Sequence, residues 1–158
     1  MNRKGFTFCS LVCAVLLSAA TASAQQPTTI QRGPIPSAIL AAKKIFVSNA
    51  AIYSESYSGD ADRVYNQFFT GLKASNQFEL VGDPSTADLV LEVQFTATDN
   101  YFSLVIHDSK THFMLWTLLK PIIVGGSQKT RDRNFDQALT ALLSDFLALS
   151  GKTPPPSK

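Results

Sequence analysis

The chain has 158 residues, 45% of them hydrophobic and 16% charged, with a formal net charge of +2. That apolar share excludes a disordered polyelectrolyte and is enough to fill one core. The near-neutral balance excludes the basic footprint by which proteins hold nucleic acid or an anionic membrane surface.

The first residues set the compartment. Arg3 and Lys4 precede an apolar run ending near Leu17, and small residues follow up to Ala22-Ser23-Ala24. This is the pattern of a secretory signal peptide over residues 1–24, too short in its apolar part to span a bilayer stably. Cys9 and Cys13 both lie inside it, so the exported chain has no thiol, disulfide or cysteine metal site. Val12 stands before Cys13 where a lipid-attachment signal has a small residue, which argues against lipidation. Loss of Arg3 and Lys4 takes the net charge from +2 to zero. The expected location is the periplasm or the extracellular space, with no stable membrane span in the mature form.

Residues 25–42 are an extended lead-in, opening with QQPTTIQRGPIP and passing into a short helical turn at SAILAAKK. A single domain is expected over 43–150. KKIFVSNA is a first strand rich in bulky apolar residues. Over 60–75, Val64, Tyr65, Phe68, Phe69 and Leu72 fall at helical spacing, with Asp60 placed to cap. FELVG, 78–82, is a second strand, and a strand-helix-strand unit defaults to a right-handed crossover between parallel strands. Asp83-Pro84 opens a tight turn. In LVLEVQFTAT, 89–98, Leu91, Val93, Phe95 and Ala97 alternate with Glu92, Gln94, Thr96 and Thr98, as in a strand with one buried face. Asp99-Asn100 forms a two-residue hairpin turn, YFSLVIH a fourth strand, DSKT the next turn and HFMLWTLLK a fifth strand. Pro121 and Gly125-Gly126 break the sheet, GSQKTRDRN is a solvated loop, and an amphipathic helix runs from Asn134. Gly151 stops that helix, and 151–158 is a disordered proline-rich tail.

These elements specify an α/β (α+β) fold: a two-layer sandwich with a mixed sheet of about five strands and two main helices on one face, in the order β-α-β-β-β-β-α. Counting outward from the two tight turns puts Phe95 opposite Leu104, His107 opposite His112, and Leu104 opposite Leu115. One face then gathers Leu91, Val93, Phe95, Phe102, Leu104, Ile106, Phe113 and Leu115, and agreement among three strands supports the register. The other face carries the row Glu92, His107, His112, then Gln94, Val105, Met114, then Thr96, Ser103, Trp116.

Three candidate chemistries follow. Glu92, His107 and His112 are a zinc-type donor set, and a metal-binding protein or metal-dependent enzyme using them is the alternative reading, although a flat row on a sheet rarely converges its ligands. Asp108 and Ser109 beside the histidines are turn residues, which cannot supply the order a Ser-His-Asp triad requires. Gly125-Gly126 lacks a phosphate-loop continuation. What remains is an apolar and aromatic surface of Tyr101, Val105, Met114, Trp116 and Leu118, an interaction patch unless the lead-in around Ile35 to Leu40 covers it. No cofactor is implied, and the chain is read as a non-enzyme.

The run from KKIFVSNA through FELVGDPSTADLVLEV to LVIHDSKTHFMLW resembles small exported bacterial proteins and the α/β domains at the N-terminus of TolB and in the curli-assembly protein CsgG. The matching features are the ADLVL strand, Ala87 to Leu91, the D-x-K-T turn, Asp108 to Thr111, and Leu115-Trp116. The resemblance spans most of residues 43–149. It implies a periplasmic, non-catalytic module that binds proteins or assembles in the envelope; the expected partner is another envelope or secreted protein, with a homo-oligomer left open. The chain departs from CsgG in having no lipidation cysteine and no pore-forming insertion.

Overall fold

A computed structural model describes residues 33–50, 57–58 and 62–152. The signal stretch 1–24, residues 25–32 of the lead-in, Asp60 and the tail from 153 lie outside the described residues. From Pro34 onward the described residues belong to one unit.

Eight elements follow the expected order: α1 (Ser37–Ala41), β1 (Lys44–Asn49), α2 (Arg63–Ala74), β2 (Glu79–Leu80), β3 (Leu89–Thr96), β4 (Tyr101–Asp108), β5 (Met114–Pro121) and α3 (Gln128–Leu149). A single 3-10 turn, Pro84–Thr86, precedes β3, with Asp83 accepting from the Ser85 amide at 2.9 Å. The strands form one mixed sheet in the order β2-β1-β3-β4-β5. β1 lies parallel to β2 and β3, and β3, β4 and β5 form an antiparallel meander.

The helices form because their apolar residues recur on one side. Val64, Phe68 and Leu72 are the buried stripe of α2, and Phe135, Leu139, Leu142, Phe146 and Leu147 belong to that of α3. Their ends are specified locally. Asn76, at a φ of 52°, follows the last turn of α2. Gly151, at 69°, closes α3, with its amide donating to the Ala148 carbonyl and the Lys152 amide donating to Leu147 at 2.8 Å. This is the pair of hydrogen bonds that a left-handed glycine makes possible. α3 begins at Gln128 rather than Asn134, so the stretch read as a solvated loop supplies its first turns. Ser127 caps them by accepting from the Thr130 amide.

Both long helices pack on the face formed by Leu89, Leu91, Val93 and Phe95 of β3 and Phe102, Leu104 and Ile106 of β4, all buried. Where Phe95, Phe102 and Phe135 meet, ring centroids lie 4.8 to 5.5 Å apart, and Tyr57 joins them at 4.7 Å from Phe135. The Tyr57 hydroxyl donates to Asn100 at 3.1 Å, and burial pushes its pKa upward. Ile39 of α1 and Ala42 enter this same core, so the described end of the lead-in packs with the helix layer. Gly71 lets α2 approach α3: a Cβ there would lie 2.6 Å from a Leu143 methyl.

The register differs from the expected one at both hairpins. The first loop spans Ala97 to Asn100, so Thr96 faces Tyr101 and Phe95 faces Phe102. A four-residue loop moves the pairing by two, which preserves every side chain's face while changing its partner. In the second hairpin Ile106 faces Trp116 and Leu104 faces Leu118, with a bulge between Ile106 and His107. That odd displacement turns most of β5 over. Trp116 and Leu118 therefore lie on the helix side, half-buried against the core, and Phe113, expected in the core, is exposed.

Candidate functional site

The face turned away from the helices is built from alternate residues of β1, β3, β4 and β5. Its rows follow from the pairing: Phe46, Val90, His107 and Met114; then Ser48, Glu92, Val105 and Thr117; then Gln94, Ser103 and Leu119; then Thr96, Tyr101 and Pro121. Of the five residues expected to form one patch, Tyr101, Val105 and Met114 are here. Trp116 and Leu118 are on the other side of the sheet, holding β5 to the helices. The expected patch is thus divided, because the bulge changes the parity of β5.

A polar chain crosses the middle of this face. The Ser103 hydroxyl donates to Gln94 Oε1 at 3.2 Å, and Gln94 Nε2 donates to Glu92 Oε1 at 2.8 Å. Glu92 Oε2 lies 3.4 Å from His107 Nε2, within reach of charge attraction. The direction of approach does not make a hydrogen bond, so Nε2 is enclosed without one. Glu92 itself faces Val105, and it meets His107 on the diagonal.

The Glu92, His107, His112 row does not form. Met114, not His112, stands opposite His107. His112 is exposed in the connecting turn at a φ of 60°, and its amide donates to the Asp108 carbonyl. Among the described residues no group of three His, Cys, Asp or Glu side chains could hold a metal ion. Nor does the turn present a nucleophile. Ser109 is buried with its hydroxyl donating to the Ala87 carbonyl. Asp108 Oδ1 accepts from the Lys110 and Thr111 amides at 3.0 and 2.7 Å and from the Thr111 hydroxyl, which holds its carboxyl below the usual range. The D-x-K-T motif is a turn that satisfies its own backbone.

The outer edge of the sheet is chemically distinctive. Phe113, Met114, Leu119, Ile123 and Val124 are each between 58% and 76% exposed, within twelve consecutive residues. Among the described residues β5 is also the last strand of the sheet, so one row of its backbone groups has no neighbouring strand there. Its only charged residue, Lys120, is drawn onto α3 by Asp145 at 2.5 Å. Sequence reasoning missed Leu119 and Phe113 as surface residues. The available signal was a strand, MLWTLL, apolar at both parities, which marks an edge with two apolar sides and not one buried face.

No family model and no curated protein matches the chain. Distant structural likenesses exist. A DUF4136 family protein from Bacteroides thetaiotaomicron has 11% identity and a TM-score of 0.49 over 74% of this chain and 92% of that one. A PelC dodecamer from Paraburkholderia phytofirmans has 14% identity and a TM-score of 0.43 over 70% and 87%. TolB from Acinetobacter baumannii has 16% identity and a TM-score of 0.36 over 63% of this chain and 29% of TolB. These are bacterial proteins, TolB among them as the sequence resemblance anticipated; none of these three is CsgG. Among the described residues no helix is long and apolar enough to cross a membrane.

Proposed function

We propose that the chain is an exported, non-catalytic binding or assembly module that engages an envelope or secreted protein through the outer edge of its sheet. The observation that carries this reading is the concentration of exposed apolar side chains on and beside β5. A monomeric surface rarely gathers such a strip without a use for it. Phe113, Met114 and Leu119 are the contact residues, with Tyr101 and Val105 on the adjoining face. Trp116 and Leu118 support the strand from beneath. The export pattern of residues 1–24 supplies the compartment, and that stretch is removed on the way.

The test is a photoreactive amino acid placed at Leu119 in the cell of origin, with the same group at Gln137 on the exposed side of α3 as the comparison. A discrete protein adduct from position 119 and none from 137 is the expected outcome. Equal, diffuse labelling from both positions would remove the edge as a contact surface, and an unprocessed, cytoplasmic chain in the same fractions would remove export.

A further inference from the structure

We infer that the occupant of the β5 edge is a second copy of this chain, the two β5 strands pairing antiparallel about a two-fold axis. This deepens the reading above, resting on β5 as the contact surface and naming what sits there.

The argument begins with charge. From Phe113 to Leu119 there is no charged residue, and Lys120 is already held by Asp145. Natural edge strands are blunted by lysines, by short length or by proline. β5 has eight residues, with proline only at its last position. Laid antiparallel on its own copy, such a strand brings no like charges face to face. A partner strand carrying the usual edge charges would set them against apolar neighbours on both sides.

Geometry selects the same occupant. Trp116 and Leu118 are only half-buried on the helix side, where α3 is packed against β5. A two-fold axis perpendicular to the sheet brings a second α3, Trp116 and Leu118 alongside, completing the cover on that side. On the other side it sets the two Leu119 side chains of the pair close together. The parallel edge offers no such match: β2 has two residues and presents Glu79.

The experiment uses the exported protein, from which Cys9 and Cys13 leave with residues 1–24, so that any introduced cysteine is the only one. Single cysteines are placed in turn at positions 115, 117 and 119, with Glu79→Cys as the comparison, and disulfide-linked dimers are followed under mild oxidation. Across a two-fold axis a residue meets itself. One step from the axis the separation already rises to about 8 Å, beyond disulfide reach. A single sharp maximum on β5, with no product from Glu79→Cys, is expected. Sedimentation should show a dimer that Leu119→Lys weakens about tenfold or more, since the symmetry places that charge at the seam twice. Circular dichroism of Leu119→Lys should be unchanged, because the position is exposed. A monomer at all concentrations, a dimer indifferent to Leu119→Lys, or equal crosslinking from position 79 would overturn the inference. A monomer whose position 119 still captures a different envelope protein would overturn self-pairing alone and leave the edge as the contact surface.

Discussion

At one edge of the sheet, β2 contributes only Glu79 and Leu80, and Glu79 reaches back to Lys44 at 3.7 Å. At the other, β5 runs for eight residues with its single charge turned onto α3. Both edges leave backbone donors and acceptors without a neighbouring strand, yet only the second is long and apolar enough to template another chain. The comparison shows that this sheet is protected on its parallel side and left open on its antiparallel side.

The largest effect that tests this contrast comes from two near neighbours on β5. Trp116→Ala should destabilise the fold by roughly 2–3 kcal/mol, below the full cost of a buried indole because the ring is half-buried. Below the concentration at which two copies pair, Leu119→Ala should stay within about 0.5 kcal/mol, as expected of a site exposed in the single copy. Urea unfolding of both variants measures the difference. Equal costs, or a reversed order, would mean that β5 presents the opposite face.

An intermediate effect lies at the join between the parallel and antiparallel halves. Asp88 accepts from the Lys43 and Lys44 amides at 2.8 and 2.9 Å, and these bonds hold its carboxyl below the usual range. A group whose folded pKa is depressed contributes stability that is present above its unfolded pKa and lost as pH falls through the folded one. Thermal midpoints should therefore decline below about pH 4, where ordinary carboxylates take up protons. Asp88→Asn should lower the midpoint at neutral pH and flatten that acid decline. A variant with an unchanged acid limb would show that the tie does not bear on stability.

The smallest effect belongs to the short edge. Glu79→Ala removes an ion pair between two exposed side chains and should change stability by no more than a few tenths of a kcal/mol, vanishing in high salt. A larger loss in the same unfolding assay would mean that β2 is held by more than its length suggests.

The fold was legible wherever one residue property had one period. Leu91, Val93 and Phe95 alternate with Glu92, Gln94 and Thr96, and β3 follows them. The first hairpin survived a wrong loop length because an error of two residues keeps parity. β5 offered no such protection. Met114, Leu115, Trp116, Leu118 and Leu119 are apolar at both parities, so pattern alone could not say which of them face the helices, and the bulge settled it. The first turns of α3 were missed for the opposite reason. Gln128, Lys129, Arg131 and Arg133 carry no apolar stripe, and the start is marked only by Ser127 following two glycines. Of the candidate site, Met114, Tyr101 and Val105 were placed on the correct face. The histidine row depended on both hairpins: the longer first loop sets Glu92 opposite Val105, and the second sets Met114, not His112, opposite His107.

The irregularity between Ile106 and His107 also isolates one part of the molecule from another. Residues from Trp116 onward take their positions from the Pro121 end of the ladder, whereas the tip around Asp108 to Phe113 is closed by its own hydrogen bonds and tied through Ser109 to Ala87 and Asp88. The surplus residue works as slack between these two anchors. A residue inserted between Lys110 and His112 is therefore expected to disturb the layer beneath the tryptophan less than one inserted between Trp116 and Pro121.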